Sequence, residues 1–348
     1  MGEAIILSLN EFLNVFIRIY FMQRLISIDI AKAICIILVV IGHYHPENAP
    51  EWYIVINRFI YSFHMPVFMF ASGYIYIATL KQELYLHFIT KKIKRLMLPY
   101  ITTSFIIISL KLLSQGSAYV ENPITAISYL KVFYLPEAGF FLWFIWALWW
   151  MFVILPLFKT KKARWWLFVI SILIAYIPIS LPEIFCFRQF KNMFMYFMLG
   201  IFIYENKEIV KIKFTGRYLP FLIFGVLEFL YLSDAINGSL AIRYKLIPLA
   251  GIWAIIQLSN YISKSINNSK QRWLLSIATS SYIIYLFHTT FEGFTKALCQ
   301  KTLLDSNLWY IFTLEALIVI TVGIVGPILL HHYILQRTTI TKYIFGVK

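Results

Sequence analysis

Several ionisable side chains sit where an apolar chain can least accommodate them. Asp29, Lys32 and His43 lie in one hydrophobic run, Arg58 and His64 in the next, Glu228 in a later one, and His288 and Glu292 in another. Each costs at least ~2.5 kcal/mol at the centre of a bilayer, so each asks for a partner or a task. A neutral imidazole is the natural base for taking a proton from a hydroxyl near neutral pH. His43 falls near the far end of its run, and His64 lies a third to halfway into the following one, just before Pro66. A proline there removes one helical hydrogen bond and bends the chain, which is common at polar sites in membranes. If the two runs are antiparallel neighbours, both imidazoles converge in the outer half of the membrane. The alternative is a hydrogen-bonded structural histidine, and the residues alone leave both readings standing. They also leave open whether His288 shares the site.

Cationic residues form a second group. Asp29 and Lys32 are three apart and hence neighbours on one helix face. They read either as a local ion pair or as part of an anion site with the strip from Lys91 to Arg95. Lys91 and Arg95, four apart, are expected to project the same way at the start of the third run. Such a strip also anchors to anionic lipid heads, and charge does not separate the two readings. No metal site is expected: no histidine pair has the spacing of a zinc-binding helix, and the adjacent His331 and His332 point to different faces. Cys35, Cys186 and Cys299 are far apart with no CxxC spacing, and Cys35 reads as a small buried hydrophobe.

The elements that must position these groups are read from composition. Of 348 residues, 60% are hydrophobic and 14% charged, with a mean hydropathy of +0.75. A soluble domain carries roughly a quarter charged residues, because its surface must meet water. The apolar runs are long and unalternating, which predicts helices rather than barrel strands. The expected fold is therefore all-α, a polytopic transmembrane bundle of about ten spans. These are placed at about 29–46, 53–79, 97–115, 140–158, 165–181, 189–204, 217–234, 240–260, 275–297 and 308–335. The fifth and sixth are short, and 121–136 reads as a re-entrant or interfacial piece. One membrane domain over 22–348 accounts for the chain.

The net charge of +15 invites a nucleic-acid partner, but the Lys and Arg fall in short clusters between apolar runs. That is how membrane proteins fix their orientation. With the first span starting in the cytoplasm, about nineteen cations fall on inner connections and about seven on outer ones. Both termini are expected to be cytoplasmic. Residues 1–21 are too polar for a span and lack a signal-peptide pattern. They read as an amphipathic helix on the inner leaflet or as an over-extended start ahead of Met22.

Residues 24–43, running from Arg24 through Asp29 and Lys32 to Gly42 and His43, resemble the opening signature of the acyltransferase-3 family of membrane O-acyltransferases. Residues 63–74, from Phe63-His64-Met65-Pro66 to Gly73-Tyr74, resemble its second-helix signature. Weaker blocks follow in order: Lys91 to Leu96 before Pro99 and Tyr100, Leu142-Trp143-Phe144, Tyr196 to Gly200, and Ser281 to His288. Two arginines four apart are usual in the basic block, whereas this chain has Lys91 and Arg95; lysine keeps the charge but loses bidentate phosphate recognition. The resemblance implies an enzyme of the plasma membrane, the inner one where there are two. It implies acyl-coenzyme A, with acetyl the commonest group, as a cytosolic donor substrate rather than a bound cofactor. The implied acceptor is a hydroxyl of a cell-surface or lipid-linked carbohydrate. It makes His43 the general base or acyl-handling residue, and His64 and His288 site-lining residues. It makes Arg24, Lys32, Lys91 and Arg95 candidates for the coenzyme A phosphates. Apart from the resemblance, buried polar groups and a kinked helix also suit a glycan or solute exporter, against which no inverted repeat is visible. A sensing module would need a partner domain, and no hydrophilic stretch within these residues is long enough to be one.

Overall fold

With no water in the hydrocarbon to satisfy backbone groups, an apolar run in a bilayer must close its hydrogen bonds within itself. In a computed structural model, which describes residues 26–46, 49–116, 123–207, 218–235, 242–265, 268–302 and 308–347, each predicted run contains a helix. The long helices are α1 (Ile26–His43), α2 (Glu51–Ala78), α3 (Tyr85–Ser114), α4 (Phe140–Leu157) and α5 (Lys161–Tyr176). They continue with α6 (Phe187–Glu205), α7 (Leu219–Leu232), α8 (Ile242–Ser265), α9 (Asn268–Thr302) and α10 (Trp309–Leu335), and α11 (Thr339–Ile344) is a short terminal turn. No strand occurs among the described residues. Seven of these helices are long and apolar enough to cross a membrane: α1, α2, α3, α4, α8, α9 and α10. The others, α5, α6 and α7, are shorter or more polar. The chain is thus an all-helical, multi-spanning membrane protein. Residues 1–21, with the readings given for them, and Arg24 lie outside the described residues.

The core forms around α2 and α6, the most extensively packed pair, with α5, α4 and α8 against them; α9 and α10 make a second close pair. The α2–α6 contact depends on two glycines facing each other's backbone. A methyl at Gly73 would fall on the Phe197 carbonyl, and one at Gly200 on the Phe70 carbonyl. Such small-residue crossings hold membrane helices together, because lipid tails give no hydrophobic advantage to larger side chains. At one end Arg164 of α5 reaches Glu205 of α6, with Nε 2.9 Å from the carboxylate. It also donates to the carbonyls of Phe158 and Lys159 at 3.0 and 2.6 Å, which satisfies a nearly buried guanidinium.

Two irregular segments matter for the site. The stretch from Pro123 to Gly139 contains only a one-turn helix, Ser128–Lys131, yet it is docked firmly on α3. The Tyr100 hydroxyl donates to the carbonyls of Val132 and Leu135, both at 2.9 Å. The Gln115 amide pairs with the backbone of Ile124. The entry to α6 turns through Phe185 and Cys186, both in left-handed conformation at φ 55° and 54°. Such a residue other than glycine costs of order 1 kcal/mol and persists only where its surroundings over-determine it. Here the Phe185 N–H donates to Tyr134 O at 2.7 Å, and Trp150 Nε1 donates to Phe185 O at 3.0 Å. The turn sets the direction in which the first residues of α6 project.

Candidate functional site

His43 is the last residue of α1, so the carbonyls just before it have no helical partner. Two tyrosines of α2 supply donors: Tyr53 OH to Ile41 O at 2.8 Å and Tyr61 OH to Gly42 O at 3.2 Å. They tie the end of α1 to α2 and fix where the His43 ring stands. Its neighbours are the rings of His288 of α9 at 5.1 Å, Phe141 at 5.8 Å and Tyr61 at 6.1 Å between centroids. Phe141 also packs edge-on to His288 at 5.2 Å, and its carbonyl accepts from the hydroxyl of Tyr285, one turn before His288.

His288 is fully buried. Its Nδ1 lies 3.0 Å from Ile284 O and 2.9 Å from Tyr285 O. A carbonyl can only accept, so Nδ1 carries the proton and Nε2 holds the lone pair. That Nε2 has no hydrogen-bond partner. His64 repeats the arrangement: it is 2% exposed, with Nδ1 2.6 Å from Ile60 O, and the Tyr61 ring stands 5.1 Å away between His43 and His64. The three histidines therefore meet at one place, a convergence that spacing leaves open. Two of them are locked by backbone carbonyls in the tautomer that offers Nε2 as an acceptor.

His43 and His64 line a cavity of about 1390 Å³, together with His45, Tyr61, Ser62, Phe141, Trp143, Thr289, Thr290 and Glu292. This exceeds the usual few hundred to ~1,000 Å³ of a small-molecule site. Its lining comes from the C-terminal parts of α1, α3, α5 and α9, the N-terminal parts of α4, α6 and α8, and the middle of α2. Alternating ends are what an up-and-down bundle presents on one face. The cavity therefore lies at a single end of the molecule.

Some of its lining could have been expected from the residues. Glu292 is one turn beyond His288 and hence on the same helix face. It is 5% exposed with Oε1 unpartnered, and it fits because α10 has Gly323 opposite, where a methyl would come within 2.9 Å of its Cγ. Pro66 leaves the Ser62 carbonyl without its helical donor. The Ser62 hydroxyl hydrogen-bonds Glu228 of α7, which gives that buried carboxyl a partner. Arg58 pairs with Asp234 at 2.7 Å. Of the clustered tryptophans, Trp143 lines the cavity, whereas Trp146 and Trp150 pack on Phe185.

None of Lys32, Lys91 and Arg95 lines the cavity. They sit at the opposite helix ends. Lys32 pairs with Asp29 at 3.3 Å, which is the local ion pair that their spacing allows. Lys91 reaches back to Glu83 at 2.5 Å, and that hydrogen bond holds the Glu83 carboxyl below its usual range. A wide turn with π-type bonding runs over Ile93–Met97, so Lys91 and Arg95 are not related by a simple α-helical step; the Arg95 side chain is exposed. Among the described residues no ion pair or hydrogen bond joins these cations into one group.

Comparison with known proteins fits this arrangement. The profile of a family described as an acyltransferase domain matches residues 25–332. The nodulation protein NolL of Mesorhizobium japonicum is 30% identical over 168 residues, 46% of this chain and 43% of that protein. NolL of Sinorhizobium fredii is 29% identical over 193 residues, 53% of this chain and 50% of that protein. The chain thus matches about half the length of these curated relatives, and no solved structure matches it. Because the family match takes in the second signature block and all but the first residue of the opening one, with the three histidines and nearly all the helical bundle, the chain belongs to the acyltransferase-3 family.

Proposed function

We propose that the enzyme moves an acyl group, acetyl in the first instance, from cytosolic acyl-coenzyme A to a hydroxyl of a cell-surface or lipid-linked carbohydrate. The observation that carries this reading is His43 in the wall of a cavity large enough for a saccharide, backed by the buried ring of His288 with its unpartnered Nε2. His43 takes the proton from the acceptor hydroxyl as its oxygen attacks the thioester carbonyl. The new C–O bond forms, the C–S bond breaks, and the proton passes to the departing thiolate. A proton on His43 makes it an imidazolium, which donates from its second nitrogen to the lone pair of His288. His288 thus acts through His43 and is a positioning residue.

Both termini lie in the cytoplasm in this reading, with the cavity on the far side. Lys32, Lys91 and Arg95 then stand on the cytosolic rim, where the phosphates of coenzyme A would arrive. Asp29 and His43 are about 21 Å apart along α1, at about 1.5 Å per residue. The donor's extended pantetheine arm has to span most of that distance.

Purified protein supplied with acetyl-coenzyme A labelled in the acetyl group tests the reaction. Label is expected to appear in added surface glycan; unconsumed donor in its presence would end the proposal. A K91Q/R95Q double variant is expected to raise the apparent donor KM by about tenfold for each phosphate hydrogen bond removed, with kcat little changed. A charge-assisted hydrogen bond contributes ~1.5 kcal/mol or more, and a deficit in ground-state binding appears in KM. An unchanged KM would remove these residues from the donor site.

A further inference from the structure

Acyl transfer by the histidines leaves part of the cavity wall unused. Lys191 of α6 and Lys245 of α8 both line the cavity and are 9% and 8% exposed. Both reach the same short stretch of chain at the end of α5, Lys191 at Ile177 and Ile179 and Lys245 at the ring of Tyr176. Lys191 Nζ donates to Ile177 O at 2.5 Å and Ile179 O at 3.0 Å, so two of its three N–H groups are spent on carbonyls and one remains. Lys245 Nζ stands 5.8 Å from the Tyr176 ring centre. Among the described residues no carboxylate pairs with either lysine; the nearby Arg188 does have one, Glu183, at 3.8 Å.

Two buried ammonium groups beside each other are costly unless something negative joins them, because both lose hydration and repel each other. The left-handed turn at Phe185 and Cys186 feeds directly into the helix that projects Lys191 and sets its direction. Anchoring to lipid heads explains poorly a pair that is buried and faces the same cavity as His43. Whatever anion sits on the pair is within one cavity of the reacting imidazole.

We infer that Lys191 and Lys245 form an anion subsite, and that the acceptor is a glycan bearing a carboxylate or phosphate near the hydroxyl that is acylated. The inference rests on the acyl-transfer reading and narrows its acceptor class. The anion takes the remaining N–H of Lys191 and the ammonium of Lys245, and it orients the sugar with one hydroxyl toward His43.

The test measures thermal unfolding of the full chain in nanodiscs of zwitterionic lipid, with saturating glucose, glucuronate or glucose 1-phosphate at matched ionic strength. Glucuronate or glucose 1-phosphate is expected to raise Tm by several degrees and glucose to leave it in place. The shift should vanish in K191Q/K245Q and survive in K191R/K245R. Equal shifts with glucose, no shift with either anion, or a full shift in K191Q/K245Q would each overturn the inference. Repeating the series in anionic-lipid nanodiscs separates the remaining source. A probe effect that persists supports a glycan anion; one abolished because lipid alone gives the same lysine-dependent rise makes the occupant a headgroup and overturns it. No acyl donor is present in this assay. A protein that passes here but leaves labelled acetyl-coenzyme A unconsumed would therefore refute the transferase reading separately.

Discussion

Replacing His43 by alanine is expected to lower acyl transfer by about 10²- to 10⁴-fold, the usual contribution of a positioned general base, while leaving the protein folded and inserted. The ring stands at the end of α1 with edge contacts to Phe141 and Tyr61 and a tilted contact to His288, and α1 itself is held by the tyrosine donors to Ile41 and Gly42. Those bonds use backbone carbonyls, which survive the substitution. The loss should therefore appear in kcat, with the thermal stability of the purified variant near that of the parent. Undiminished transfer by a folded His43→Ala protein would remove this residue from the mechanism. A large fall in stability would instead make it a structural residue.

Substituting alanine at Gly73 or Gly200 should have the largest effect on the fold. In either case the new methyl meets a backbone carbonyl of the facing helix rather than the end of a side chain, so no rotamer change relieves it. Ordinary overpacking costs about 1–3 kcal/mol, and this clash should cost at least the upper end of that range, because α2 and α6 must separate along their length. α2 carries Tyr61, Ser62 and His64, and α6 carries Lys191, so the cavity would open with them. Gly225 on α7 is the control: a methyl there meets nothing within 4 Å. Gly225→Ala should be neutral or stabilising by up to about 1 kcal/mol, since alanine is the better helix former. Thermal unfolding of the three purified variants decides the matter. Equal behaviour of Gly73→Ala and Gly225→Ala would mean that the crossing is not held by close backbone approach.

How far the molecule was legible in its residues depends on the range of the interaction concerned. The helices were legible because a bilayer demands local hydrogen bonding, which writes itself as uninterrupted apolar runs. α1, α2 and α9 follow from composition alone. The histidines were legible as expensive residues. Their meeting was not, since His43 and His288 are brought together by the packing of helices distant in the chain. Glu292 carried a usable signal, its one-turn spacing from His288. Lys191 and Lys245 were masked by their place near helix ends, where a cation reads as an orientation signal. Only burial against Ile177, Ile179 and Tyr176 sets them apart. The expectation that Lys91 and Arg95 act side by side rested on uniform α-helical geometry, which the wide turn at Ile93–Met97 and the capture of Lys91 by Glu83 alter. Neither a π-turn nor a partner eight residues away is visible in charge spacing.

Sided labelling tests most directly whether the imidazole cavity and the cationic rim face opposite sides of a membrane. Single cysteines in place of His45 and of Arg95, both exposed, would be introduced into a chain whose three buried native cysteines are replaced by alanine. Each would be treated with a membrane-impermeant maleimide in right-side-out and inside-out vesicles. Position 45 is expected to label only in right-side-out vesicles and position 95 only in inside-out ones. Labelling of both from the same side would contradict transfer across the membrane and the placement of donor and acceptor that depends on it.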